Sequence, residues 1–366
     1  MKPLPAAGGN GKEADSSMHN SDTQGQTNAA MTVPELLKLA GGCWKPCTLH
    51  AGVKLDVFSH LVRCPMTATD LACLLEVDSR GLNMLLHALA AMDLLRKEED
   101  RFSTTQFSAE HLARQSPRYL GHIILHHHFL VDGWSRLDEA VRHGHPVRKR
   151  SSHDVDGLER ESFLLGMYNL ANLLAPRVAA AINLGGRRRL LDLAGGPGTY
   201  AIHFCQQNPE LTAVIFDLPT TRPFAEQMVD RFGMSDRIAF VAGDLVVDPI
   251  GSGFDVVWLS HLLHSEGPET CAAIVTKAAQ ALTDDGLLLV QEFILDDSRT
   301  TPLHPALFSL NMLIGTPEGQ AYTQGELAAM IRQAGFDQVR RLPIELPNGA
   351  GILMAVRSAA SPALQL

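Results

Sequence analysis

From Val33 to about Pro117, apolar side chains recur at the three- and four-residue spacing of helices that bury one face. Leu36, Leu37, Ala40, Trp44 and Cys47 share such a face, and Gly52 to Leu61 reads as a second short helix. Thr67 to Asp70 is a helix-start signal, a hydroxyl followed three residues on by an acid, ahead of Leu71, Leu74 and Leu75. Asp78 is placed to cap the next helix, whose apolar stripe is Leu82, Leu85, Leu86, Leu89 and Met92. A polar turn at Lys97 to Asp100 leads into a short strand, Phe102-Ser103-Thr104. Helix, helix, turn and strand in this order predict a winged helix. Tyr119 to Ala181 then reads as long helices.

The pattern changes at Arg189. Short apolar runs now alternate with amphipathic stretches, and strands start near 189, 213, 238, 255, 286 and 351, with helical segments between the first five. That alternation predicts an α/β fold with a Rossmann-like, doubly wound sheet, whose ligands sit beyond the strand C-termini. Gly349-Ala350-Gly351 marks a tight turn into the last strand, Ile352 to Val356. Met1 to Ala30 carries almost no bulky apolar side chain and is expected to be a disordered tail. The expected organisation is therefore a tail (1–30), a winged-helix-like domain (31–117) and a helical linker with pocket helices (118–185). A ligand-binding α/β domain (186–358) and a second tail (359–366) complete it.

Composition narrows the partners. A formal net charge of −9 disfavours a polyanion. The helix from Ser79 to Asp93 would present only Arg80, Asn83 and His87 to a DNA groove, and the wing carries Glu98, Glu99 and Asp100. Packing, through a symmetric homodimer, is expected of this domain, and a DNA-binding ligand sensor is the alternative. The six cysteines form no Cys-x-x-Cys and are expected to be reduced and buried in a cytoplasmic protein. No apolar run reaches membrane-spanning length, so no membrane partner is expected. His126-His127-His128 cannot all ligate one ion from consecutive helical positions; no metal is expected, and a surface or interdomain place is. The basic runs Arg148-Lys149-Arg150 and Arg187-Arg188-Arg189 are expected to be solvated loop charges.

The chemistry gathers at Arg189 to Ala201. A strand ends in Asp192-Leu193, the chain turns through Gly195, Gly196 and Gly198, and a helix follows. Glycines let a ligand approach the backbone, and the helix start points unpaired N–H groups at it. The next strand ends in Asp217, placed to accept the hydroxyls of a ribose. Read from Gly196, the loop also satisfies Gly-x-Gly-x-x-Ala, the dinucleotide fingerprint. Asp192 beside the glycines would repel a pyrophosphate but hold an α-amino group. Phe240 to Leu245, a third strand ending in an acid, offers Asp244 to an adenine amine. Acids at three successive strand ends favour S-adenosylmethionine over NAD. The fourth strand, Phe254 to Ser260, is followed by His261 and His264, and the fifth, Gly286 to Gln291, ends in Glu292. Adjacent parallel strands would let Glu292 orient His264, which is then either a general base or a structural strand-end histidine. Phe163 and Met167, with Phe308 and Met312, are candidates for an apolar substrate wall.

The run from Leu190 to Val356 resembles the small-molecule O-methyltransferases of the caffeic acid and acetylserotonin (hydroxyindole) type. The matching motifs are Asp192 to Gly198, Phe216-Asp217-Leu218-Pro219, Gly243-Asp244-Leu245, Leu263-His264 followed by Cys271, then Glu292 and Thr323. The preceding winged helix resembles that family's dimerisation domain. The resemblance implies methyl transfer from S-adenosylmethionine to a hydroxyl, with S-adenosylhomocysteine as product, as in secondary metabolism. It implies cofactor contacts from Asp192, Gly195, Gly196, Gly198, Asp217, Leu218, Gly243, Asp244 and Leu245, with His264 as general base and Glu292 orienting it. Ser260 stands where plant members often carry a cofactor-contacting lysine. Three further departures are Ala194 for the first loop glycine, Ser265-Glu266 for Asp-Trp after the histidine, and Ala321 for a second orienting glutamate. C-methylation of an activated ring is the alternative on the same scaffold.

Overall fold

A computed structural model describes residues 31–153 and 155–357, so both expected tails, and residue 358 of the domain before the second, lie outside the described residues. The chain divides into two compact units, 1–45 and 46–366. The first carries α1 (Val33–Ala40), capped by a reciprocal Thr32–Glu35 pair and exposing Leu36, Leu37 and Leu39. The expected continuous face through Cys47 is not formed. The helix stops at Gly41 and a new one, α2 (Trp44–Lys54), begins, with Trp44 exposed.

The second helix of the expected pair is also divided. Asp56 adopts φ 57°, which ends α2 and restarts the chain as α3 (Val57–Leu61). Then follow β1 (Met66–Thr67), α4 (Ala68–Leu75), α5 (Ser79–Ala91), β2 (Leu95–Glu98), β3 (Arg101–Thr104) and α6 (Gln106–His111). Thr67 accepts from Asp70 N and Asp78 from Gly81 N, so both helix-start signals act as read. The three strands pair antiparallel in the order β1-β3-β2, with a wing strand, β2, that the sequence reading had taken as a turn. Phe58, Leu71, Leu82, Leu86, Leu89 and Phe102 form this region's core. His87 turns back on its own helix, toward Asn83 O and the Phe102 ring. Four cysteines, Cys43, Cys47, Cys64 and Cys73, are exposed against expectation, because they fall on the solvent side of short helices or in turns. Only Cys205 and Cys271 are buried, and all six are free.

Three helices link the regions: α7 (Gly121–Ser135), α8 (Leu137–His143) and α9 (Gly157–Ala181). The α/β part then runs β4 (Arg189–Leu193), α10 (Thr199–Gln207), β5 (Thr212–Asp217), α11 (Arg222–Arg231), β6 (Ile238–Ala242), β7 (Phe254–Ser260), α12 (Pro268–Ala281) and β8 (Leu282–Leu295). It closes with α13 (Leu303–Gly315), β9 (Tyr322–Thr323), α14 (Gln324–Gln333), β10 (Val339–Arg341) and β11 (Ala350–Val356). The sheet order is β10-β11-β8-β7-β4-β5-β6, with β9 beside β8. β4 to β8 are parallel, whereas β10 and β11 return antiparallel. The chain moves from β4 outward to β5 and β6, then back to β7 on the other side. The C-terminal ends of β4 and β7 are therefore the switch point where such sheets bind ligands.

Alternation along each strand builds two cores. Leu191, Leu193, Val257, Leu259, Leu288 and Val290 face α12 and α14, while Leu190, Val256, Trp258, Leu287 and Leu289 face α10 and the end of α9. Trp258, fully buried against Tyr200 and Phe204, removes on the order of 200 Å² from water, worth about 5 kcal/mol. Two strand readings need correction. β6 stops at Ala242, before Gly243 and Asp244, and β8 runs three residues past Glu292, because Ala350 of β11 pairs with Phe293 and β9 pairs with Ile294 and Leu295. The short strands β9 and β10 went unread. They are only two and three residues long and exist by pairing. No described helix is long and apolar enough to cross a membrane.

Candidate active site

The glycine loop joins β4 to α10 at the switch point. Gly198 takes φ 74°, and a Cβ there would come within 2.3 Å of Ile215 Cδ1. Gly195 lies over Asp192: a Cβ on it would stand 2.6 Å from the carboxyl carbon. Without one, the backbone folds onto the carboxylate and a small ligand can reach both. Ala194, where the related enzymes carry glycine, also has positive φ (51°) and donates its N–H to Phe216 O. Asp192 is 2 % exposed and accepts from Ala201 N at 3.3 Å. Burial, with the nearby Asp217 charge adding to it against that hydrogen bond, pushes its carboxyl up to about 7. A cation brought to such a group would favour its ionised form.

Asp217 ends β5. Its Oδ2 accepts from Gly196 N (2.8 Å), and its Oδ1 from Leu218 N (2.7 Å) and Thr221 Oγ1 (2.9 Å). Enclosure raises its carboxyl above the ordinary range despite these bonds. The carboxylate thereby ties the end of β5 to the glycine loop. Gly243 packs against the Phe216 ring, and Leu218 is half-buried beside Asp217. Asp244 is bound into its own loop, accepting from Val246 N at 2.8 Å, and Leu245 packs into the core. A buried acid, a backbone that only glycine permits over it, and a helix start aimed at the same place fit a ligand with an α-ammonium and a nucleoside.

On the next two strands, β7 and β8 pair Ser260 with Gln291. His264 follows in a short 3-10 turn, and its Nδ1 lies 2.8 Å from Glu292 Oε2. Glu292 is 2 % exposed; burial pushes its carboxyl up, but the His264 charge and hydrogen bonds outweigh this and hold it below the ordinary range. An ionised carboxylate only accepts, so Nδ1 carries the proton facing it, and in the neutral imidazole Nε2 then holds the lone pair. Phe308 meets the His264 ring edge-on, with centroids 4.7 Å apart, and Phe293 packs against Phe308 and His304. Of the four proposed wall residues, Phe308 therefore stands at His264. Met312 is buried one turn further along α13, while Phe163 packs on His126 and half-buried Met167 lies one turn along α9.

Several participants were not read from sequence. His261 holds φ 52°, a conformation uncommon without glycine, which turns its ring onto Phe293. Its Nε2 accepts from Gln291 Nε2 at 3.0 Å, Gln291 also donates to the Tyr200 hydroxyl, and its Nδ1 lies 3.8 Å from Glu292. Burial drives His261 down to about 4, so it is neutral. His261, His264 and Glu292 offer ligand atoms within 4.8 Å of one another, the one such group among the described residues. A cation there would have to displace the proton shared by His264 and Glu292. His261 and His264, three residues apart, together with Glu292 at the next strand, were the sequence signal for this network.

Of the basic runs, Lys149, Arg188 and Arg189 are exposed as expected, whereas Arg148, Arg150 and Arg187 are partly buried. Arg150 pairs with Ser265 Oγ and Glu266, the residues that depart from Asp-Trp. Arg187 donates to Asp255 O and Asp285 O, and Arg189 lies over the Phe254 ring. Arg148 is half-buried against Gly133 and Gly315. Within the histidine run, expected at the surface or between domains, His126 is buried against Phe163. Thr323 caps α14 with Glu326, and Ala321 is fully buried where a second acid was expected.

The family model for the O-methyltransferase domain matches residues 134–337, and that for the O-methyltransferase dimerisation domain matches residues 37–114. The chain is 33 % identical over 328 residues to 3-hydroxy-5-methyl-1-naphthoate 3-O-methyltransferase of Streptomyces sahachiroi, covering 88 % of this chain and 95 % of that one. It is 30 % identical to acetylserotonin O-methyltransferase of Gallus gallus, covering 80 % and 88 %. A solved O-methyltransferase family protein from Burkholderia thailandensis superposes with a TM-score of 0.81 at 30 % identity, over 91 % of this chain and all of that one.

Proposed function

The chain belongs to the S-adenosylmethionine-dependent O-methyltransferase family, and from that premise we propose that it methylates a hydroxyl of a small aromatic compound with His264 as general base. One observation carries the reading: a buried, ionised Glu292 fixes the proton on His264 Nδ1, at 2.8 Å, and leaves Nε2 able to accept. A phenol, with pKa near ~10, stays protonated at neutral pH and is a weak nucleophile until a base takes its proton. As Nε2 takes it, the imidazolium forms against the Glu292 carboxylate, which stabilises the charge without moving. Phe308, edge-on to the imidazole, holds a flat ring beside it and keeps water from the exchange.

The cofactor supplies a methyl group on a sulfonium. Asp192 would hold its α-ammonium and the N-terminal turn of α10 its carboxylate; Asp217 would accept from the ribose, and Asp244 with Leu245 would border the adenine. Gly195, Gly196, Gly198, Leu218, Gly243 and Ser260 would line the same path, and Met312, Phe163 and Met167 the acceptor side. Two copies joined through their dimerisation domains are the expected assembly.

The test is product analysis with a simple phenol such as 2-naphthol. Wild-type enzyme should give the methyl ether, and His264→Ala should lose at least tenfold in turnover, within the roughly 10²–10⁴ of a lost general base. S-adenosylhomocysteine affinity should be unchanged. A ring-methylated product, or unchanged turnover in the variant, would overturn the reading.

A further inference from the structure

Arg148 lies between α7 and α13. Its backbone N–H donates to Ile314 O at the end of α13. Its side chain crosses two glycines: a Cβ on Gly133 would come 2.9 Å from its Cδ, and one on Gly315 2.4 Å from an Nη. Nη1 donates to Lys149 O and Ser151 Oγ, both at 3.0 Å. Nε is buried with no hydrogen-bond partner, and no described carboxylate pairs with the guanidinium within 4.0 Å; Glu159 acts on it only through space. On α7, buried His126 also has a partnerless Nδ1. A half-buried cation that no described carboxylate neutralises suits an incoming anion.

The position of this cation relative to His264 follows from helix geometry. Phe308, which touches His264, Met312 and Gly315, which touches Arg148, fall at i, i+4 and i+7 on one face of α13. The same spacing places His126 and Gly133 on one face of α7, which is tied to α13 by Trp134 Nε1 donating to Asn311 Oδ1 at 3.2 Å. Seven residues of helix rise about 10 Å. Phe308 and Met312 thus lead along α13 from a base at one end to a guanidinium, paired with no described carboxylate, at the other.

We propose that Arg148, assisted by His126, binds a carboxylate on the acceptor, so that the substrate is a fused-ring hydroxyaryl acid with hydroxyl and carboxylate at opposite ends. This rests on the reading of His264 as the end where methyl transfer occurs. Arg148 is then a specificity residue, and its guanidinium recognises charge that the neutral imidazole of His126 cannot.

The experiment is calorimetric titration of the full chain, saturated with S-adenosylhomocysteine, with 6-hydroxy-2-naphthoate, its methyl ester and 2-naphthol. Wild type should bind the acid roughly tenfold or more tightly than either neutral compound. Arg148→Gln should remove that preference while 2-naphthol and S-adenosylhomocysteine bind as before, and Arg148→Lys should keep part of it. Equal affinities in the wild type, failure of all three compounds to bind, or an acid preference that survives in Arg148→Gln would each overturn the proposal. The wild-type comparison decides even if the variants misfold. Methyl transfer to 2-naphthol without any acid preference would remove this inference and leave the proposed function standing, whereas failure to bind S-adenosylhomocysteine would remove both.

Discussion

Asp192 gives the sharpest quantitative expectation. Its carboxyl is 2 % exposed and is raised to about 7, chiefly by burial. The proposed cofactor contact requires the ionised form. With a pKa near 7, the ionised fraction is about one in eleven at pH 6 and ten in eleven at pH 8. S-adenosylhomocysteine affinity should therefore rise about tenfold between pH 6 and pH 8, with a proton released on binding. Calorimetry in two buffers of different ionisation enthalpy measures both. Asp192→Asn cannot ionise: it should lose about 1.5–3 kcal/mol of binding at pH 8, or roughly 10–100-fold, and its affinity should no longer follow this pH curve. The variant also reports any titration of the ligand itself. The ligand-free protein should behave oppositely. A carboxyl raised from 3.8 to about 7 in the folded state adds stability that is complete below the unfolded pKa and is lost as pH rises through the folded one. The loss approaches about 4 kcal/mol by pH 8, at ~1.4 kcal/mol per unit, and Asp192→Asn should escape it. A binding curve flat from pH 6 to pH 8, or wild-type affinity in the variant, would refute this placement of the charge.

Three further expectations follow from local geometry. Glu292→Gln removes the charge that faces the His264 imidazolium and should lower kcat about 10–100-fold, with KM for a phenol little changed, in a steady-state assay; equal kcat would show that the pair is only structural. Gly198→Ala places a methyl 2.3 Å from Ile215 Cδ1 at φ 74°, and should cost at least about 2 kcal/mol in a denaturant melt and weaken S-adenosylhomocysteine binding. Ala194→Gly relieves φ 51° and should raise stability by up to about 1 kcal/mol; a lower melting temperature would mean that the Ala194 methyl packs favourably enough to offset the strain.

Local rules carried the sequence reading where structure is decided locally. The caps at Thr67 and Asp78 and the alternation within β4, β5 and β7 involve neighbours a few residues apart, so they are legible in the chain. The glycine loop is legible for the same reason, since φ 74° at Gly198 is a property of one residue. The Glu292–His264 pair was legible only in outline. Sequence placed Glu292 at a strand end, whereas pairing with β11 and then β9 carries β8 three residues beyond it. Length of a strand is set by its neighbours, and β9 and β10 exist only because β8 and β11 lie beside them. The basic residues were least legible. Arg150 meets Ser265 from 115 positions away, and Arg148 is enclosed by Gly133 and Gly315 from different helices. A charge read one residue at a time defaults to solvent, because only tertiary packing decides which water is removed and which partner replaces it. The sequence alone determined the fold class, the glycine loop and the strand ends that carry Glu292 and His264; the tertiary structure decided that His261 joins the pair and that Arg148 lies against the far end of α13.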